Sequence, residues 1–210
     1  IVLDRAGITG TDGASHNGMW DMAMCGIVPG LMLSAPRDCQ HLVSVLNEAV
    51  DINDRPTVIR YSKDPMPDDI RVVASHDGLD VLRDGPGDGI LLVAHGQLCA
   101  PALAAVDQLD FPVRVVSPRW SLPVCRGLIE EAAEARAVVS VEDGLVVSGL
   151  GSHLADALSR RGLWRPIRNL GIPQRYLGHD SRSAIMAELG LDAPGIADAV
   201  SQLVSQLGGE

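Results

Sequence analysis

Aromatic side chains are nearly missing from this sequence: its 210 residues hold one Phe, two Tyr and three Trp. A core must therefore be assembled from Leu, Val, Ile and Ala. Positive charge is also short, with 17 Lys and Arg against 27 Asp and Glu, a formal net charge of -10. That balance argues against nucleic acid as a partner, because a phosphate backbone requires clustered cations. It also makes any phosphate site a local exception on an acidic surface. The four cysteines, Cys25, Cys39, Cys99 and Cys125, form no C-x-x-C pair and have no His at ligand spacing. A zinc site and a disulfide framework are thereby disfavoured, no metal ligands are assigned, and reduced thiols in a cytoplasmic protein fit. No apolar run approaches the ~18 residues of a membrane span, so no membrane partner is expected. A signal-peptide pattern is lacking too, and the first residue is Ile rather than Met.

What is present begins with the apolar run of residues 1–3, a strand, followed by a glycine-rich polar loop that carries Arg5, Asp12, Ser15, His16 and Asn17. The pattern turns helical at about Asn17, a candidate N-cap, with Met19, Met22 and Ala23 on one face. Strand, polar loop and helix start is the usual setting for chemistry in an α/β fold, because such loops converge on a crevice. The loop collects unlike groups: a guanidinium suited to phosphate or carboxylate, a carboxylate before a turning glycine, and an imidazole that exchanges protons near neutrality. On spacing alone, a hydrated turn with Asp12 and Ser15 as caps accounts for it equally well.

Residues 4–7, DRAG, and 12–21, DGASHNGMWD, resemble the pyrimidine-domain loop of the deoxyxylulose-5-phosphate synthase family. These are thiamine-diphosphate enzymes of the transketolase superfamily. The likeness continues through Val28-Pro29, Ala35-Pro36, Ile59-Arg60-Tyr61, Asn169-Leu170-Gly171-Ile172-Pro173 and residues 187–192, and so covers essentially the whole chain. The resemblance implies an enzyme joining pyruvate, with loss of carbon dioxide, to glyceraldehyde 3-phosphate, with thiamine diphosphate and Mg2+ as cofactors and a homodimer as the assembly. It implies catalytic roles for His16 and Asp12 near the reacting carbons, and Arg5 as a ligand of the acceptor phosphate. Lys63 stands where the family has a second phosphate-binding Arg, within Arg60-Tyr61-Ser62-Lys63-Asp64 rather than R-Y-P-R-G. A lysine supplies a point charge without a fork, and Asp64 beside it is a candidate partner that would weaken the site. The family's G-D-G diphosphate motif and its cofactor-activating Glu are not found here. The chain is therefore expected to be the C-terminal part of such an enzyme, inactive alone and without bound cofactor.

Residues 1–64 read strand, loop-helix, strand, helix, strand, with Asp38 opening the second helix, and are expected to form half of a parallel-sheet pyrimidine-type α/β domain. A unit of ~60 residues is marginal alone and needs a tight neighbour. Residues 65–87, rich in Pro, Gly and acids, read as a connecting segment. Residues 88–210 alternate apolar strands with helices, the pattern of a sheet covered on both faces, and resemble a transketolase C-terminal α/β domain. Gly149-x-Gly151 lacks the third glycine of a dinucleotide fingerprint and reads as close helix packing. Glu142-Asp143 reads as a solvated strand end, and His95, His153 and His179 are assigned no role. Two competing classes are a non-catalytic assembly module and the β chain of a two-component oxo-acid dehydrogenase; the DRAG and SHNG motifs speak against the latter.

Overall fold

Short parallel strands open the chain in a computed structural model that describes residues 1–208. Strand β1 is Val2–Leu3 and helix α1 is Asp21–Cys25. Strand β2 is Met32–Ser34, helix α2 is Cys39–Asp51 and strand β3 is Thr57–Arg60. The three strands form a parallel sheet in the order β1-β3-β2, with Leu3 opposite Arg60 and Ser34 opposite Ile59. Asp38 caps α2 as expected, its carboxylate accepting from the His41 backbone N–H at 2.7 Å.

The second sheet has six strands. Strands β4 (Ala74–His76), β5 (Leu79–Arg83) and β6 (Ile90–Ala94) precede helix α3 (Cys99–Val106). Strand β7 (Val113–Pro118), helix α4 (Arg126–Glu134), strand β8 (Ala137–Leu145) and helix α5 (Leu150–Arg160) follow. Strand β9 (Ile167–Ile172) and helices α6 (Arg182–Glu188) and α7 (Ala193–Leu207) complete the order. The sheet runs β4-β5-β7-β6-β8-β9, parallel from β7 to β9 and antiparallel where β4 and β5 join. Segment 65–87, expected as a connection, thus divides: its start is irregular, whereas residues 74–83 are mostly strand in the larger sheet.

Strand β6 is buried along its whole length, which explains its unbroken apolar run. Successive side chains point to opposite faces. Leu92 and Ala94 join a cluster with Ala102, Ala105, Ile196 and Val200. Leu91 and Val93 join one with Leu128, Leu150, Leu154 and Leu158. Each fully buried aliphatic side chain contributes roughly 1.5–3 kcal/mol. The large sheet is covered on both faces, as the alternation of strand and helix implies.

Two sequence expectations are corrected. The first helix begins at Asp21, not at Asn17, and two 3-10 turns, Gly10–Asp12 and Ala14–His16, precede Asn17. Asn17 turns its Oδ1 back to accept from the Thr9 backbone N–H at 2.9 Å and hydroxyl at 3.2 Å, so it braces the loop instead of capping a helix. Glu142 and Asp143 are not a solvated end: both lie inside β8, 1% and 7% exposed.

Candidate functional site

The loop after β1 is shaped by glycines in left-handed backbone. Gly7 has φ of +70°, and a Cβ there would lie 2.2 Å from the Asp143 carboxylate. Gly10, at φ +75°, leaves a would-be Cβ 2.8 Å from the Arg182 backbone nitrogen. Only glycine permits both the turn and the approach. The loop is thereby pressed against β8 and the start of α6.

On its outer side, Arg5 and Lys63 meet. The Arg5 Nη1 lies 3.0 Å, and the Lys63 Nζ 2.7 Å, from the same oxygen of Asp12, Oδ2. These residues come from the ends of β1 and β3, neighbouring parallel strands whose C-terminal ends share an edge. Asp12 is held below the ordinary carboxylate value by the hydrogen bond from Lys63, with Arg5 and His16 adding attraction. It is therefore an ionised acceptor at neutral pH. His16 is exposed, and its Nδ1 lies 3.2 Å from the Ser15 hydroxyl. Of the four residues singled out by sequence, three are in direct contact, and His16 adjoins them without bonding Asp12.

The site has a second side that the sequence reading did not identify. His179 Nε2 lies 2.8 Å from the Thr11 carbonyl, which fixes that nitrogen as the protonated donor. Arg182 donates from Nη1 to the Ile8 carbonyl at 2.8 Å and from Nη2 to Asp143 at 2.7 Å, and its Nε lies 3.0 Å from Asp64. Behind these, Arg60 bonds Asp21 at 2.6 Å and Asp143 at 3.2 Å. Burial opposes the Arg60 charge, but the flanking Asp21 and Asp143 outweigh it and hold the guanidinium ionised. The legible signals were an arginine inside an apolar strand and paired acids after residues 137–141. Their partners lie 39 and 83 residues away and had no local signature. Asp64, expected as a partner of Lys63, pairs with Arg182 instead.

Glu142 accepts from the Leu150 and Gly151 backbone N–H groups at 2.9 and 3.2 Å, closing the N-terminus of α5. Gly149 and Gly151 leave no room for a Cβ beside Glu142 and Ser140, which is the close packing anticipated for that pair. Among the described residues, no group of three or more His, Cys, Asp or Glu side chains is arranged to hold a metal ion. No helix among them is long and apolar enough to cross a membrane.

The sheets agree with the comparisons. Residues 79–196 match the family model for the transketolase C-terminal domain, and residues 1–68 match that for the transketolase pyrimidine binding domain. The chain belongs to the transketolase family. It is 91% identical over 210 residues to a 1-deoxy-D-xylulose-5-phosphate synthase of Cutibacterium acnes, covering all of this chain and 34% of that protein. It is 48% identical over 214 residues to 1-deoxy-D-xylulose-5-phosphate synthase 2 of Streptomyces avermitilis, covering 33% of that protein. The chain thus spans about a third of the length of these curated relatives. Among solved structures, a split-gene transketolase described as an inactive beta4 tetramer is similar at TM-score 0.79 and 28% identity, over 96% of this chain and 64% of that one.

Proposed function

We propose that this chain is the acceptor-binding and assembly part of a 1-deoxy-D-xylulose-5-phosphate synthase that condenses pyruvate with glyceraldehyde 3-phosphate. The observation that carries the reading is the convergence of Arg5 and Lys63 on one oxygen of Asp12, beside His16. Two cations against one carboxylate leave a net positive spot on an acidic protein, suited to a phosphate. The identity to the named synthase of Cutibacterium acnes supports the reading. In it, residues 1–64 serve as the second half of the pyrimidine-binding domain and residues 88–210 as the C-terminal domain, in a cytoplasmic homodimer.

The residues' roles follow from their chemistry. Arg5 and Lys63 bind the acceptor's phosphate, Arg5 through its fork and Lys63 as a point charge. Asp12 accepts a hydrogen bond from an acceptor hydroxyl, and His16 holds or moves a proton at the reacting end. Thiamine diphosphate, with Mg2+, would supply the carbanion chemistry in the whole enzyme. The G-D-G diphosphate motif and the activating Glu that the resemblance calls for are not found in this sequence, so the residues of this chain do not fit that group by themselves. Its anchors are assigned to other parts of the whole protein. The 210-residue chain alone is accordingly expected to lack synthase activity and tight cofactor binding. Saturable micromolar binding by calorimetric titration with cofactor and magnesium would overturn that expectation.

The test of the site uses the whole enzyme. A charge-assisted contact is worth roughly 1.5–3 kcal/mol, so Arg5→Ala or Lys63→Ala should weaken glyceraldehyde 3-phosphate about 10–100-fold. Pyruvate should be little affected, and unphosphorylated glyceraldehyde nearly indifferent. Equal loss of both acceptors would show that the two cations are structural.

A further inference from the structure

Lys63 and Asp64 are adjacent in sequence and oppositely charged, yet they do not pair. The Lys63 ammonium reaches Asp12 at 2.7 Å, while the Asp64 carboxylate is taken by the Arg182 Nε at 3.0 Å. The Asp64 backbone N–H donates to the Ser62 hydroxyl at 3.0 Å, which fixes the turn between the two side chains. Arg182 is itself fixed. Its side chain is 12% exposed and its three guanidinium nitrogens point to Asp64, the Ile8 carbonyl and the Asp143 carboxylate. The close approach of its backbone nitrogen to Gly10 sets the position from which the side chain reaches out. A lysine has no planar fork with which to serve three partners in three directions.

The charge at the phosphate site depends on this arrangement. Among the described residues, Arg5 and Lys63 form ion pairs with Asp12 alone, which leaves an excess of one positive charge in that group. Were Asp64 to turn onto Lys63, a second carboxylate would cancel the excess and leave nothing to attract a dianion. We propose that Arg182 is a positioning residue for acceptor recognition: by holding Asp64 it keeps that carboxylate off Lys63 and leaves Lys63 free for the acceptor's phosphate. This rests on the phosphate reading given above. It adds a specificity-determining residue from the second sheet's domain, 119 positions after Lys63.

In the whole enzyme, Arg182→Gln should raise the KM for glyceraldehyde 3-phosphate about 2–5-fold. That corresponds to about 0.4–1 kcal/mol at roughly 1.4 kcal/mol per decade and is the worth of a newly formed exposed ion pair. The kcat and the use of unphosphorylated glyceraldehyde should stay unchanged. The double variant Arg182→Gln with Asp64→Asn should return the KM to the starting value, and Asp64→Asn alone should leave it unchanged. A merely structural arginine would not be rescued at Asp64. A double variant as impaired as the single one, a single variant with unaltered KM, or equal loss of both acceptors overturns the proposal. If Arg182→Gln is too unstable to assay, Arg182→Lys, whose ammonium stays with the buried Asp143, releases Asp64 in the same way and gives the same readings. A second readout separates this proposal from the reading beneath it. Labelling of Lys63 by an amine-reactive reagent, followed by peptide mass spectrometry, should slow in Arg182→Gln and recover in the double variant. Unchanged labelling refutes the Asp64 exchange. Altered labelling with acceptor-independent kinetics instead places the error in the phosphate assignment.

Discussion

The sheet of residues 1–60 and the sheet of residues 74–172 use the same kind of apolar strand, but they are held in different ways. In the larger one, strands of five to nine residues, β6 to β8, are enclosed between α3 and α7 on one face and α4 and α5 on the other. In the smaller one the strands have two to four residues, and Ile1 and Val2 at its edge are 75% and 51% exposed. Among the described residues, no buried cluster belongs to the smaller sheet alone. Ile8 and Met19 join one core of the larger sheet, and Met22, Leu33 and Val58 join the other. Even Val45 and Ile59 close against Trp120, which follows β7. Leu33 further exchanges backbone hydrogen bonds with Leu122 at 3.0 and 3.2 Å. The first region is therefore folded by the second, which leaves Arg5, His16 and Lys63 in its loops exposed.

The largest expected effect sharpens that division. In the whole enzyme, His16→Ala should lower turnover by roughly 10²–10⁴-fold, the contribution of a positioned proton-transfer group. The imidazole is exposed, so stability should move by no more than about 0.5 kcal/mol. Near-normal turnover would return the loop to a hydrated turn, and a large fall in melting temperature would show that the function-stability division is wrong.

Next comes Leu33→Ala. Leu33 is fully buried in a cluster drawn mostly from the larger sheet, so its loss should cost about 2–5 kcal/mol. Because the cores are shared, unfolding of the chain should remain a single transition that shifts as a whole. A separate early melt of the first region in calorimetry would break the comparison. Gly7→Ala should cost at least about 1–2 kcal/mol from the left-handed backbone alone. Its methyl also displaces the Asp143 carboxylate, 2.2 Å from the would-be Cβ, so Arg60 and Arg182 should lose their shared partner. An unchanged melting temperature would refute the close approach.

The contrast between the regions also explains what was legible in sequence. In the second region local pattern decides structure: β6 is an unbroken apolar run, and α7 has apolar side chains at helical spacing behind an Asp cap. The alternation of apolar strands with helices was accordingly legible over residues 88–210. Arg5 and Lys63 were singled out by resemblance, and their meeting at Asp12 follows from parallel strands that align their ends. The details of the loop were not. Asn17 looks like a cap, yet its side chain is claimed by Thr9, and the helix waits until Asp21. Glu142 and Asp143 look like a wet strand end because their partners, α5's amides, Arg60 and Arg182, arrive only with the tertiary fold. Arg182 gave no sign, since its importance lies in contacts to Ile8, Asp64 and Asp143, 174, 118 and 39 positions away.

The smallest effect concerns pH, and it has opposite signs for two buried imidazoles, one in each region, and for the buried Glu142. Burial and the nearby Arg37 push His41, in α2, down from 6.5 to about 4. Burial and Arg60 push His95, after β6, down to about 3. Asp80 and Asp38 face His41, and Asp143 faces His95, but they only partly offset these effects. In the unfolded chain both imidazoles take up protons near 6.5, whereas the folded protein resists them. Stability is therefore lost as pH falls below about 6.5. Glu142 behaves in the reverse way: burial raises it from 4.5 to about 7, against the α5 amides and Arg60. The folded protein keeps a proton that the unfolded chain releases, so this contribution is full below about 4.5 and disappears as pH rises through 7. One pKa unit corresponds to about 1.4 kcal/mol, and relaxation of buried sites reduces what is observed to about 1 kcal/mol for each group. Glu142→Gln should flatten the decline in melting temperature between pH 5 and pH 7.5, and His41→Gln should flatten the decline from pH 6.5 to pH 4.5. Since the cores are shared, the His41 change in the first region should move the same single transition as the Glu142 change in the second. Two transitions, each answering to only one of these substitutions, would show that the regions melt independently.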